Sequence, residues 1–452
     1  MKLVVIAVAV SSLAVAGCAQ SDVVEQPDQP GQPGFSIDMG FGGGFVGPQP
    51  TFGPTVSAAT PPPPLSGGTL LMLHDGKTAL AADPDRDLAY LVDVVNAQLS
   101  STLTLTAGDE PGRAVEDGAG KVHLVLRRAG AVATIDPATA MVTERKAVCA
   151  APRGIAYEAA TDRVHVACAG GELVSLPAAG GDAVRTVALE RDLRDVAVVG
   201  AQLWVSTFRT ANVIVVNGDG TVANRLALPR AFNDFMSETS PSVAWRMLAL
   251  PDGHVAIAHQ RGSVGPVQTT EGGYGGPGGG CGGIVQSAVS MVDGTTQTIS
   301  SLGIGGVVLP ADLSYAPNAK TVAVLSAGNG HTPELGQVML MSIGEIVVPP
   351  APVDMGGGTA DGGAGGGCEQ NSSLLRVDGE ATAVAFDAGE ALWVQTREPA
   401  TLQKVSTIDF TVHATVSLSS DSRADTGWAV FHSNSGANIA CASCHPEGGE
   451  DA

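Results

Sequence analysis

Residues 152–177 read PRGIAYEAATDRVHVACAGGELVSLP, and this stretch shows the unit from which the chain is built. A short apolar segment is followed by a turn rich in small and polar residues, then by a second and a third apolar segment. Short runs rich in β-branched residues and bounded by turn residues are typical of antiparallel strands. The unit therefore predicts a small meander of β-strands.

The same unit returns from about residue 68 to residue 420. Its second strand is expected seven times, starting at Leu88, Val122, Val164, Leu203, His254, Thr321 and Ala391. Related first strands occupy residues 111–115, 152–157, 193–198 and 245–250. Arg113 and Arg153 are 40 residues apart, and Arg153 and Arg194 are 41 apart, which is the period of a four-stranded propeller blade. Seven such units predict an all-β chain with a seven-bladed β-propeller over residues 68–422.

The repeats resemble those of the surface propellers with YVTN or NHL-type repeats, although no exact YVTN repeat is present. Propellers serve as enzymes, scaffolds and binding surfaces alike, so the function has to be argued from a site. Arg113, Arg153, Arg194 and Arg246 occupy related positions in their inner strands. They form either a cationic ligand-binding ring at one mouth of the channel or ties between neighbouring blades, and the sequence leaves both open.

An acidic triplet, Asp83, Asp85 and Asp87, falls where a hairpin turn is expected in the first unit. The triplet has the composition of a calcium loop, but its place at a hairpin turn is explained by turn chemistry. The turn interpretation is favoured.

The overall composition excludes one class of partner and one kind of fold. The chain has 452 residues, with 45 acidic and 24 basic side chains and a formal charge of −21. Binding to nucleic acid rests on clustered Lys and Arg, so no nucleic acid is expected as a partner. With 59 Gly and 28 Pro residues, long helices are not expected either.

Residues 1–17 have the pattern of an export signal, with Lys2 followed by an apolar run too short to span a membrane. The run VAGC at residues 15–18 resembles the lipobox of bacterial lipoproteins. That resemblance implies cleavage before Cys18, its acylation, and an extracytoplasmic protein held at the bacterial outer membrane. Residues 18–67 are rich in Pro and Gly and predict a disordered tether. Gly-rich stretches at 269–283 and 354–368 are expected to be surface loops.

The remaining cysteines fall into pairs. Cys149 and Cys168 flank a first and a second strand of one unit, close enough for a disulfide in an exported protein. Cys281 and Cys368 each end a Gly-rich stretch and are a possible second pair. Cys441 and Cys444 remain.

Those two cysteines belong to CASCH, residues 441–445, the attachment pattern of c-type haem. Two thiols spaced in this way reach the two vinyl groups, and His445 follows directly as an iron ligand. The other interpretations are a redox CxxC disulfide or half of a zinc site, but no second pair with zinc spacing follows. Residues 423–452 are therefore predicted to be a haem-binding segment carrying haem c.

The sequence around this motif resembles the opening of the haem domain in bacterial di-haem cytochrome c peroxidases. The matching residues are Gly427, Phe431, Ile439, Cys441 to His445, Pro446, Glu447 and Gly448. In that family a second haem motif and a distal ligand follow, whereas here seven residues follow His445. The sixth iron ligand is unknown, with His432 and His259 as weak candidates.

Three functions are consistent with these patterns. The first is an extracytoplasmic c-type electron-transfer protein, anchored by lipid, whose propeller docks a redox partner protein. The second is a truncated or split di-haem peroxidase-like oxidoreductase, and the third is a non-redox surface propeller that binds other molecules. We favour the first and assign no catalytic residue.

Overall fold

Seven antiparallel sheets, consecutive along the chain, make up the body of the protein. The computed structural model describes residues 48–232, 237–266, 283–332, 334–347 and 374–448. Six sheets have four strands and one has five. The first three blades contain β1 (Leu70–Met72), β2 (Thr78–Asp83), β3 (Leu88–Asp93), β4 (Gln98–Thr104), β5 (Pro111–Glu116), β6 (Val122–Leu126), β7 (Ala131–Asp136), β8 (Met141–Ala147), β9 (Pro152–Glu158), β10 (Arg163–Cys168), β11 (Glu172–Pro177) and β12 (Arg185–Ala188).

The other four blades continue the pattern. Blade 4 contains β13 (Leu193–Val199), β14 (Gln202–Thr207), β15 (Asn212–Asn217) and β16 (Val222–Ala227), and blade 5 contains β17 (Ala231–Phe232), β18 (Glu238–Ala249), β19 (His254–Ser263), β20 (Val285–Asp293) and β21 (Ile299–Ile304). Blade 6 contains β22 (Leu313–Ala316), β23 (Thr321–Leu325), β24 (Val338–Ser342) and β25 (Leu374–Leu375), and blade 7 contains β26 (Ala381–Phe386), β27 (Leu392–Thr396), β28 (Thr401–Val405) and β29 (Val412–Ser417). The predicted seven-bladed all-β fold is confirmed.

Three short helices, α1 (Ile343–Val347), α2 (Thr426–His432) and α3 (Cys441–Cys444), complete the described elements together with two 3₁₀ turns, at Ala327–Asn329 and at Pro446–Gly448 after α3. None of the helices in the described ranges is long and apolar enough to cross a membrane. The helical elements α2 and α3 follow the last blade, so they belong to the predicted haem-binding segment.

Burial within each blade follows from its radial position. The second strand of blade 3 is buried at five of its six positions, and its Val166 lies opposite Ile155 on one side and Val174 on the other. The fourth strand of blade 1 is mostly exposed. Inner and middle strands pack against the neighbouring blades on both faces, so they are largely buried and need no strict alternation of apolar and polar residues. Most of the apolar core is therefore placed between blades.

One strand assignment from the sequence is wrong. The segment from Leu88 is the third strand of blade 1, β3, and the second strand is β2, with the sequence TALAAD. The inner strand β1 has only three residues. Alanine has a low β-propensity, so the Ala-rich β2 gives a weaker strand signal than the more apolar β3. Five of the other second strands are confirmed. The strand from His254, β19, follows the long strand β18 but is third in its five-stranded sheet.

Blade 5 is extended because β18 has 12 residues and pairs with a fifth strand, β17. The predicted Gly-rich loops fall between β19 and β20 and between β24 and β25, almost wholly outside the described residues. Cys18, Cys281 and Cys368 also lie outside them, as does the signal segment.

The predicted disulfide within blade 3 is confirmed. Cys149 and Cys168 are joined, with 6.4 Å between their Cα atoms. Cys149 precedes β9 and Cys168 ends β10, so the bond links the start of the inner strand to its neighbour. A disulfide of this kind is typical of proteins in oxidising compartments.

Candidate functional site

The chain after blade 7 forms the helix α2, which contacts the N-terminal segment between residues 56 and 65. Asp425 caps α2, since its carboxylate accepts hydrogen bonds from Trp428 N at 2.8 Å and from Ala58 N at 2.9 Å. The indole Nε1 of Trp428 donates to Pro63 O at 3.0 Å. A capping carboxylate satisfies helix N–H groups that have no partner within the helix. The later part of the predicted tether, residues 48–67, is therefore in contact with the propeller and α2.

A tight loop leads from α2 to the CASCH motif. Asn434 is buried; its backbone N–H donates to Gly328 O in blade 6 at 2.8 Å, and its side-chain oxygen accepts from Gly436 N and Asn438 N. Ala440 and Ala442 then enter an apolar cluster formed mainly by blades 4 to 7. The loop thus fixes where the motif begins on the propeller.

The CASCH residues divide into an inward and an outward face. Ala442 is fully buried and Ser443 is buried, and the carbonyl of Ser443 accepts a hydrogen bond from Gln260 Nε2 at 2.8 Å. Cys441 and His445 are exposed and Cys444 is half-buried. The His445 backbone N–H donates to Cys441 O at 2.9 Å, which closes the turn. Both cysteines and His445 therefore lie on one turn at the surface of the described structure.

Two residues after His445, the carboxylate of Glu447 contacts three guanidinium groups. Glu447 Oε1 lies 2.5 Å from Arg194 Nη1 and 2.9 Å from Arg127 Nη2, and its Oε2 lies 2.9 Å from Arg153 Nη2. Burial opposes ionisation, but the three cations hold the pKa of Glu447 far below its usual value. The end of the motif is thus fixed to three successive blades by ion pairs.

A second charge network lies deeper among the inner strands. Asp195 is fully buried and lies 3.0 Å from Arg113 Nη1 and 2.8 Å from Arg246 Nη1. Arg246 Nε also pairs with Asp312 at 3.2 Å. Burial raises the pKa of a carboxyl group, but the two guanidiniums keep the pKa of Asp195 below its usual value. These pairs join blades 2, 4, 5 and 6.

The four arginines predicted as a ring are therefore divided between two places. Arg153 and Arg194 meet Glu447, while Arg113 and Arg246 meet Asp195. Each of the four bonds to a group outside its own blade. Among the described residues the structure favours the tie interpretation.

The two weak candidates for a sixth iron ligand are both buried with engaged ring nitrogens. His432 Nδ1 donates to Trp428 O at 2.9 Å and Nε2 accepts from Leu65 N at 3.3 Å. His259 contacts Gln260 O and Ser290 Oγ at 2.9 and 2.8 Å. Burial lowers the pKa of His432 to about 4 and that of His259 to about 3. Both are structural histidines in this conformation.

The acidic triplet of blade 1 is also accounted for by protein contacts. Asp83 accepts from two backbone N–H groups of its turn and pairs with Arg86, while Asp85 pairs with Arg397 at 3.0 Å. Asp87 accepts from the backbone N–H groups of residues 108 and 110. Within the described ranges no group of three metal-ligating side chains is found. The turn interpretation holds there.

Sequence reasoning missed several residues of these contacts. Arg127 pairs with Glu447 and Gln260 binds the carbonyl of Ser443, and both contacts span more than 180 residues of chain. Asp195 joins inner strands within the propeller. The only local signal is that Asp195 follows Arg194 directly in an inner strand. Such contacts require the ring of blades to be closed.

Comparisons with known proteins support the fold. A chain of Kuenenia stuttgartiensis hydrazine synthase matches with a TM-score of 0.60 and 14% identity, covering 79% of this chain and 99% of that chain. A chain of the mitotic checkpoint complex matches with a TM-score of 0.50 and 9% identity, covering 85% and 97%. No protein-family model matches, and no curated protein matches. At these identities the similarity shows the fold alone.

Proposed function

We propose that this chain is an extracytoplasmic electron-transfer protein carrying haem c on its C-terminal segment, with the propeller as scaffold and docking surface for a redox partner protein. The observation that supports the proposal is the outward face of the CASCH turn. Cys441 and His445 are exposed and Cys444 is half-buried, while the residues between the cysteines are buried against the propeller. The donor groups are thus presented to solvent from a fixed backbone.

The side chains of Cys441, Cys444 and His445 are of the types that bind haem c. Two thiols separated by two residues suit covalent attachment to haem vinyl groups, and an adjacent imidazole suits the iron. Haem c supplies a one-electron iron couple when it is bound. Cys441 and Cys444 would hold the macrocycle, and His445 would bind the metal.

The propeller holds the motif in place through contacts to Ala442, Ser443 and Glu447, three residues outside the proposed donor set. Gln260 binds the carbonyl of Ser443, and Trp245 Nε1 donates to Gln260 Oε1 at 2.8 Å, which orients the Gln260 amide. Ala442 packs in the apolar cluster and Glu447 pairs with three arginines. A rigid support lowers the reorganisation needed at a redox site.

We also propose that Cys18 is acylated and holds the protein at the bacterial outer membrane, outside the cytoplasm. The Cys149–Cys168 disulfide supports an oxidising compartment, which is also where thioether attachment of haem takes place.

The test is a pyridine haemochrome spectrum and an intact mass of the full chain, exported in a host that matures c-type cytochromes. Wild type should show a c-type band and the mass of one haem, and Cys441→Ser/Cys444→Ser should show neither. The matched control, Cys149→Ser/Cys168→Ser, removes two cysteines as well and should keep the haem. A colourless wild-type protein of apo mass would refute the proposal and favour a non-redox binding propeller.

A second experiment tests His445 as the iron ligand. His445→Ala should keep the covalent haem, because both thiols remain, but should change the absorption spectrum and shift the reduction potential. The control His413→Ala removes an exposed histidine of blade 7 and should change neither. An unaltered spectrum in His445→Ala would show that another residue binds the iron.

A further inference from the structure

Three arginines from successive blades form a pocket of their own at the end of the propeller. Arg127 follows β6 in blade 2, Arg153 lies in β9 of blade 3, and Arg194 lies in β13 of blade 4. Arg127 and Arg194 are buried, with 4% and 1% of their side chains exposed, and Arg153 is 21% exposed. We call these three residues the arginine pocket.

Contacts within the propeller shape this pocket without help from Glu447. The guanidinium of Arg194 lies over the ring of Phe208, 4.2 Å from its centre, and Arg194 Nη2 donates to Ser66 O at 2.6 Å. Arg127 Nη1 lies 3.3 Å from Glu110 Oε1. A guanidinium that is stacked and hydrogen-bonded is preorganised for a carboxylate.

The positive charge of the arginine pocket favours binding of an anion. Three guanidiniums face Glu447 and, beside Arg127, Glu110. The buried Nε of Arg127 has no hydrogen-bond partner in the described part of the chain. Burying cations without a counter-charge costs free energy. The chain as a whole has a net charge of −21, so three arginines clustered at one place indicate a binding site for an anionic group.

The backbone conformation of Glu447 is consistent with binding of its side chain in the arginine pocket. Glu447 has φ 56° and ψ 26°, in the left-handed region, within Pro446–Gly448. A residue with a side chain is uncommon there and costs about 1 kcal/mol or more. The ion pairs offset this strain, and the conformation directs the carboxylate to the arginines.

We infer that the arginine pocket is a carboxylate-binding site with Glu447 as its resident ligand, and that this contact latches the CASCH turn onto the propeller. The inference does not depend on haem, because none of the three arginines nor Glu447 belongs to the cysteine and histidine donor set. Once the Glu447 side chain is shortened, the same pocket should accept a small free carboxylate such as acetate.

The first measurement is hydrogen exchange on the full chain, in the haem-free state and, where haem is attached, in the haem-bearing state. The reporters are backbone amides bonded within the turn, at Ala440, Ser443 and His445. Glu447→Ala removes the one carboxylate that, within the described ranges, bridges all three arginines. Protection should fall about 100-fold or more, given what a broken buried pair costs. Glu447→Gln, which keeps the size but loses the charge, should also lose protection.

Two controls separate the latch from general destabilisation. Glu334→Ala removes an exposed carboxylate and should leave exchange in the turn unchanged. The amide of Val205, in the buried strand β14, should stay protected in every variant. If Glu447→Ala unfolds the propeller, Glu447→Gln is measured in its place. Protection within about threefold of wild type in a folded variant would overturn the latch.

The second measurement tests the chemistry of the pocket. In Glu447→Ala, acetate should restore protection of the turn, about tenfold at ten times its dissociation constant, and wild type should not respond. Chloride at the same ionic strength is the control for screening. Equal effects of chloride and acetate, or no effect of acetate, would overturn the carboxylate site. A protein with a working latch and no haem would refute only the proposed function.

Discussion

The substitution Asp195→Asn should destabilise the propeller strongly. The Asp195 side chain is fully buried and makes four polar contacts. They are with Arg113 Nη1 at 3.0 Å, with Arg246 Nη1 at 2.8 Å, and with the backbone N–H groups of Met247 at 2.9 Å and Val196 at 3.1 Å. Asparagine retains the size and an acceptor for Met247 but removes the charge. Arg113, 4% exposed at its side chain, would then lose its nearest carboxylate.

The expected cost is about 3 to 5 kcal/mol of unfolding free energy, the usual loss when one partner of a buried ion pair is removed. Arg246 keeps Asp312 at 3.2 Å, so we expect the lower part of this range. For a folded body of this size the loss corresponds to a fall in Tm of about 5 °C. The substitution also removes a pH dependence of the unfolding free energy. Because the pKa of Asp195 is lowered on folding, its stabilisation is present above its unfolded pKa of about 4 and is lost as pH falls through the folded value.

The assay is urea unfolding at pH 7 and at pH 4 to 2, followed by the fluorescence of the buried tryptophans. Asp182→Asn serves as control, since Asp182 pairs with Lys146 but is almost fully exposed, and its stability should match wild type. Two results would refute the reasoning that this carboxylate holds Arg113 and Arg246 together. One is a loss of unfolding free energy below about 1 kcal/mol for Asp195→Asn. The other is a dependence of unfolding free energy on acid pH that is the same in Asp195→Asn as in wild type.

Other predictions concern the disulfide, the buried histidine and the helix cap. Cys149→Ser/Cys168→Ser should lower the unfolding free energy by about 3 kcal/mol, because the bond closes a loop with a sequence separation of 19; added reductant should give the same shift in wild type only. Burial lowers the pKa of His432 to about 4, so folding keeps it neutral. Stability should fall as pH drops from about 6.5 to 4, by about 3 kcal/mol, and the fall should be smaller in His432→Gln by pH-dependent calorimetry. Asp425→Ala should cost about 1 to 2 kcal/mol and speed proteolysis near Ala58; unchanged cleavage would show that the cap does not hold that segment.

The blades could be predicted from the sequence because each is a local unit. All its strands come from one stretch of chain, and hairpin turns leave a repeated pattern of apolar runs and turn residues. The Cys149–Cys168 pair was predictable for the same reason, since Cys149 lies just before one strand of the blade and Cys168 ends the neighbouring strand. Blade 1 shows the limit of this reasoning, because its short β1 and Ala-rich β2 carry a weaker pattern than β3.

The contacts of the CASCH segment could not be predicted in this way. Glu447 lies 253 residues from Arg194 and 320 from Arg127 along the chain. No periodicity relates a residue after the last blade to arginines in blades 2, 3 and 4. Their convergence depends on the curvature of the whole ring and on the path of the chain across its end.

By itself, the sequence determined the repeated strands, their number of blades, the disulfide within blade 3 and the presence of two thiols beside a histidine. These features rest on neighbours in sequence, where spacing decides geometry. Only the tertiary structure decided that Ala442 and Ser443 face the propeller while Cys441 and His445 face solvent, and that one carboxylate meets three arginines. Burial and ion pairing between distant segments exist only once the blades have closed into a ring.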